Sequence, residues 1–129
     1  MSDGTGSPRG GVCVVTGATS GIGLAAACAL ARLGARVIGV GRDAGRAGAA
    51  LRRVEAAAAE SGAPAPSFEL ADLSSLRETR TLGERLASGS GGIDALVNCA
   101  GVFTARRTLT PERSEERRVG EECRSRWSP

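Results

Sequence analysis

VCVVTGATSGIG, residues 12–23, decides how the rest of the chain is read. Val12, Cys13, Val14 and Val15 follow one another without polar alternation, the pattern of a parallel strand buried on both faces. The run breaks at Thr16 and Gly17 and passes through Ala18, Thr19, Ser20, Gly21, Ile22 and Gly23 into an alanine-rich helical segment. Strand, glycine turn and helix start together make a place to hold a phosphate, because the unpaired N–H groups of the first helical turn face whatever anion sits there. Gly17 is expected to turn the backbone out of the strand, Gly21 to let a ligand approach, and Gly23 to bring the helix close to the sheet. No Lys-Ser or Lys-Thr follows the last glycine, so the turn lacks the phosphate contact of a P-loop.

Residues 1–10 are polar and glycine-containing and read as a flexible arm before a first strand over 11–16. The first helix is expected over 21–33, with Ile22, Ala25, Ala26, Ala29, Leu30 and Leu33 as its apolar stripe and Gly34 as its C-cap. A second strand over 36–40 carries Val37, Ile38 and Val40 and ends in Gly41, Arg42 and Asp43. At this point a dinucleotide-binding chain passes the adenosine ribose. NAD-selective sites hold a carboxylate there, whereas a 2′-phosphate is better served by a cation. Gly41 at the strand end and Arg42 after it favour NADP over NAD, with the planar guanidinium pairing with the 2′-phosphate. The alternative is an exposed arginine beside Asp43, the N-cap of the next helix.

That second helix is expected over 44–60, with Leu51, Val54 and Ala58 as its buried side, and 61–66 form a stiff turn into a short strand over 67–70. Asp72 then stands just past the C-terminal end of a strand. There it can accept from an adenine amino group while Leu73 borders the ring, or it can cap the following helix. The third helix begins at Ser74 or Ser75 and runs to about Ala87; Ser75 to Glu78 is a capping box, and Leu76, Thr79, Leu82 and Leu86 form the apolar face. A fourth strand over 93–97 leads into Asn98, Cys99, Ala100 and Gly101. Alternation of strands and helices predicts an α/β, Rossmann-like parallel sheet of order 3-2-1-4 with right-handed crossovers, truncated after the fourth strand, and puts Asn98 beside the glycine turn.

The 129 residues suffice for one small domain but are few for a dinucleotide-dependent enzyme with its substrate region. A net charge of +3 with Phe68, Phe103 and Trp127 as the whole aromatic content argues against a nucleic-acid surface. Histidine is absent, and Cys13, Cys28, Cys99 and Cys123 show no paired metal spacing. They read as reduced thiols of a cytoplasmic protein, and neither a secretion signal nor a membrane span is indicated.

Three motifs, TGATSGIG at 16–23, ADL at 71–73 and NCAG at 98–101, resemble in order and spacing those of the classical short-chain dehydrogenase/reductase family. The resemblance covers roughly residues 11–111 and implies a cofactor turn at Gly17, Ser20, Gly21, Ile22 and Gly23 and an adenine contact at Asp72 and Leu73. It further implies that Asn98 stabilises the central strands and that Ala100 and Gly101 border the nicotinamide-side ribose. The family's NNAG reads NCAG here. By the same resemblance the intact parent transfers a hydride between NADP(H) and an alcohol or carbonyl substrate and associates as a homo-oligomer.

Beyond Glu112 the resemblance stops: the family's Asn, its Ser and its Tyr-x-x-x-Lys helix have no counterpart, and the chain contains neither Tyr nor Lys. No catalytic residue is nominated, since a developing alkoxide needs a proton donor and arginine is no tunable relay. Residues 113–129, crowded with Arg and Glu, resemble a translated sequencing-library adapter, so a partial dinucleotide-binding domain over 11–112 with a non-native or disordered tail is expected. A non-catalytic dinucleotide-binding regulatory module is the alternative function, and a fragment that does not fold stably is a third possibility.

Overall fold

The computed structural model describes residues 9–89 and 91–100; the tail 113–129, the arm up to residue 8 and Gly101 lie outside the described residues. In chain order the elements are β1 (Val12–Thr16), α1 (Gly21–Arg32), β2 (Arg36–Gly41), α2 (Ala44–Ser61), β3 (Ser67–Leu70), α3 (Leu76–Gly89) and β4 (Ala95–Asn98). The four strands form one parallel sheet in the order β3-β2-β1-β4. In register, Thr16 pairs with Val40 on one side and with Asn98 on the other, so the ends of three strands are level.

Two cores flank the sheet. On one side Val15 and Val37 meet α1 and α2 through Ala27, Ala31, Val54 and Ala57, all fully buried. Alanine lets these two helices pack closely, and Phe68 fills the room above Gly39, where a Cβ would lie 2.5 Å from its ring. The other core is thinner: Val14, Ile38, Val40 and Ala71 face Leu82 and Leu86 of α3. The β4 strand is the exposed margin, with Leu96 63% accessible.

Several sequence expectations shift in detail. The apolar stripe of α1 is not the one its spacing suggested: Gly23, Leu24, Ala27, Cys28 and Ala31 are buried, whereas Ile22 and Leu33 are 81% and 56% exposed. The segment is apolar nearly all round, so periodicity could not choose the face. Contact of Gly23 with the Gly17 carbonyl chooses it, because a Cβ at position 23 would collide with that oxygen. The helix closes in a Schellman arrangement with Leu33 as C-cap: Gly34, at φ +95°, donates to Ala31 O (3.0 Å) and Ala35 to Leu30 O (3.1 Å). On α2 the buried side is Ala47, Ala50, Val54, Ala57 and Ala58, with Leu51 only partly covered. On α3, Leu76 is exposed. β4 starts two residues later than expected, at Ala95; just before it, Asp94 N–H donates to Val12 O (2.9 Å) and its carboxylate accepts from Val12 N (2.8 Å). The expected arm is tied at its end, Gly10 N–H donating to Gly34 O (3.0 Å).

Candidate functional site

Because every strand is parallel, all four C-terminal ends and the N-termini of all three helices come to one edge of the sheet. Three backbone bonds draw this edge together. Ala18 N–H donates to Val40 O (3.2 Å), Ala71 N–H donates to Gly41 O (2.9 Å), and Ser75 N–H donates to Asp72 O (3.0 Å).

Thr16 is the hub of the β1–β4 side. Its hydroxyl donates to Asn98 Oδ1 (2.8 Å) and accepts from Cys99 N (3.0 Å) and Ala100 N (3.1 Å), which uses its one proton and both lone pairs. The residue is 6% exposed, so an unpaired hydroxyl there would be costly. Sequence reasoning did not nominate Thr16; the available signal was a β-branched polar residue closing an otherwise apolar strand. Gly17 follows with φ +64°, and a Cβ on it would lie 2.8 Å from Ala100 Cα. The turn glycine is therefore required both by its own backbone and by the peptide crossing in front of it.

Beyond Ala18 the turn opens outward. Ser20 is the N-cap of α1 in extended conformation and makes no side-chain cap bond, and the first turn carries no acidic residue. Gly21 has φ +58° with nothing within 4 Å of a built Cβ, and Ile22 stands 81% exposed. A helix start with no side-chain cap, no acidic residue in its first turn and the positive end of its dipole at the surface is an arrangement suited to an anion.

The other side of this edge, where the sequence led us to expect the adenosine, is assembled from the ends of β2 and β3. Arg42 and Asp43 are exposed just past β2, and Asp43 Oδ1 accepts from Arg46 N (2.9 Å) as the N-cap of α2. Asp72 is half-buried past β3, where its Oδ1 accepts from Ser74 Oγ (2.7 Å) and Ser74 N (3.0 Å). These two bonds, with a smaller pull from the Arg42 charge, hold its carboxyl below the ordinary value against a modest desolvation effect. The cap of α3 falls to another residue: Ser75 Oγ accepts from Glu78 N (3.3 Å). Glu78 Oε1 in turn reaches back and accepts from Asp72 N (2.9 Å). Leu73 is partly buried against the α3-side core.

Of the residues singled out in the sequence, Gly17, Ser20, Gly21, Ile22 and Gly23 lie on the turn, Arg42, Asp72 and Leu73 follow β2 and β3, and Asn98 and Ala100 are bonded to Thr16. A groove of about 250 Å³ lined by Gly21, Leu24, Ala25, Cys28, Arg32 and Arg53 shares only Gly21 with this set. Burial, with some contribution from the Asp94 charge, pushes the Cys13 thiol up, so it is held as a neutral core group. Among the described residues no group of three or more His, Cys, Asp or Glu could hold a metal ion, and no helix is long and apolar enough to cross a membrane.

Comparison with known proteins agrees with this geometry. The family described as short chain dehydrogenase matches residues 11–121. A protein of Streptomyces sp. (strain C5) with the provisional name daunorubicin C-13 ketoreductase is 47% identical over 108 residues, covering 80% of this chain and 36% of its own. Among solved structures, L-sorbose reductase from Gluconobacter frateurii, complexed with NADPH and L-sorbose, is 32% identical with a TM-score of 0.64, covering 84% of this chain and 39% of that one. A metagenomic short-chain oxidoreductase in complex with NADP is 37% identical with a TM-score of 0.65, over 75% of this chain and 42% of that one. The chain spans about a third of the length of the curated relatives it matches.

Proposed function

The chain belongs to the short chain dehydrogenase family, and from that premise we propose that it is the cofactor-binding part of an NAD(P)-linked oxidoreductase whose intact form interconverts an alcohol and a carbonyl compound. The observation that carries this reading is the open start of α1: an N-cap serine with an unused hydroxyl, followed by a positive-φ glycine facing empty space. Gly17, Ser20, Gly21, Ile22 and Gly23 hold the pyrophosphate against the α1 N-terminus. Arg42 pairs with the 2′-phosphate and favours NADP over NAD, Asp72 and Leu73 border the adenine, and Asn98, Ala100 and Gly101 line the nicotinamide-side ribose. Thr16 positions Asn98 and Ala100 for that task. Bound there, the dinucleotide supplies the hydride donor or acceptor; the protein's part is to bind and orient it.

Proton transfer is not assigned to any residue here. With no Tyr and no Lys, the 129-residue chain binds the dinucleotide without turning over an alcohol or ketone. We read residues 113–129 as adapter read-through; rereading the locus tests this, and a natural stop after Pro129 would defeat it. The second reading is a non-catalytic dinucleotide-binding module. A full-length locus in which the Tyr-x-x-x-Lys helix is replaced would support that alternative.

Thermal unfolding with and without cofactor, together with calorimetric titration, tests the main reading. NADP at a hundredfold excess over its Kd stabilises the folded chain by about 2.7 kcal/mol, and NADP binds more tightly than NAD. No shift in the midpoint with either dinucleotide would overturn the binding reading, while equal or tighter NAD binding would overturn the role of Arg42.

A further inference from the structure

The turn after β1 does more than expose N–H groups. The Ala18 N–H bond to Val40 O extends the β1–β2 ladder two residues past Thr16 and lays Thr19 across Gly41. A Cβ built on Gly41 would run into the Cγ2 methyl of Thr19, with Thr19 Cβ at 3.8 Å and Oγ1 at 3.9 Å. Gly41 does not have a positive φ, so its own backbone does not demand glycine; the neighbouring methyl does. Nor can the strand simply step aside, because Gly41 O accepts from Ala71 N (2.9 Å) on the side of β3. Thr19 is half-buried and β-branched, so its χ1 is stiff and the methyl is not a mobile chain end.

Position 41 is the strand end at which an NAD-selective site places the carboxylate that accepts from the ribose hydroxyls. We propose that Thr19 is a specificity-determining residue: its methyl occupies the space through which any side chain at position 41 must pass. It thereby excludes a ribose-binding carboxylate and leaves the adenosine end to Arg42. The inference rests on the dinucleotide reading above and assigns cofactor choice to a pair, Thr19 with Gly41, rather than to Arg42 alone.

The test compares Gly41→Ala and Gly41→Asp, each in the Thr19 chain and in the Thr19→Ala chain. Without cofactor, Gly41→Ala lowers the unfolding midpoint when Thr19 is present and by much less than half as much when it is replaced; equal shifts in both backgrounds would overturn the proposal. With cofactor, Gly41→Asp combined with Thr19→Ala binds NAD at least tenfold more tightly than Gly41→Asp alone, and identical NAD affinities would likewise sink it. Should Gly41→Asp fail to fold with Thr19 and fold with Thr19→Ala, that is the same coupling seen at its extreme; failure in both backgrounds counts against it. A wild-type chain that prefers NAD would remove the 2′-phosphate reading, yet the unfolding measurement would still report on the Thr19–Gly41 pair, so the two failures are separable.

Discussion

Three helices start at the same edge of the sheet, and two of the starts are closed by the chain while one is not. Asp43 caps α2 through Arg46 N, and Ser75 caps α3 through Glu78 N. At α1 the N-cap is again a serine, a residue well able to cap, but its hydroxyl makes no such bond and no acidic residue follows in the first turn. In α3, by contrast, Glu78 lies in the first turn. A helix start left with orphan N–H groups and an uncompensated dipole is a local loss of stability, which an anionic ligand offsets. On the proposed reading, the difference separates N-termini that serve the fold from one left for a ligand.

The largest effect tests whether the turn leading to the open start is as constrained as it looks. Gly17→Ala combines a left-handed φ with backbone contact at 2.8 Å, and strain and overpacking together cost about 3 kcal/mol. Gly21→Ala meets open space and loses only about 1 kcal/mol from its left-handed conformation, while weakening dinucleotide binding. Urea unfolding of both variants measures the gap; equal losses would mean that the Ala100 contact is unimportant.

Next in size is the cap comparison itself. Asp43→Ala costs about 1 kcal/mol of ligand-free stability, whereas Ser20→Ala leaves it nearly unchanged and loosens NADP instead. If Ser20→Ala destabilised the free chain as much as Asp43→Ala, the contrast would break. A carboxylate placed at the open start sharpens the same contrast: Ile22→Glu stabilises the ligand-free chain by about 0.5 kcal/mol through the dipole and reduces NADP affinity by repulsion. Calorimetric titration beside thermal unfolding reads both signs.

The smallest effect is a pH dependence. Asp72 has its folded carboxyl held below the ordinary value by Ser74, so its contribution is present above the unfolded value and is lost as pH falls through the folded one. Wild-type stability therefore declines more steeply below pH 3.8 than that of Asp72→Asn. Parallel urea midpoints from neutral pH downward check this, and superimposable curves would show that the Ser74 bonds contribute nothing.

The strand order, the helix boundaries to within two residues and the convergence of Gly17, Asp72 and Asn98 on one edge were legible because each rests on local chemistry. Apolar runs mark buried parallel strands, glycines and caps mark helix ends, and right-handed crossovers with the order usual for a dinucleotide-binding sheet give 3-2-1-4. Ile22 was named both as a cofactor-turn residue and as part of the buried stripe of α1; in the fold it stands exposed at the turn, outside the stripe.

Less was legible wherever two segments distant in sequence press on each other. An alanine-rich helix is apolar on every side, so its spacing did not reveal which face meets the sheet; the collision waiting at Gly23 did. Thr16 looks like the last residue of a strand until β4 brings Asn98, Cys99 and Ala100 to its hydroxyl. Gly41 reads as a mere vacancy where a carboxylate could stand until the turn lays Thr19 over it. Local patterns of polarity and backbone preference are written residue by residue, and they suffice to name the elements and the kind of ligand edge they build. Which hydroxyl is saturated, which helix start stays open and which glycine is irreplaceable depend on distances between residues far apart in the chain, and those exist only once the sheet has formed.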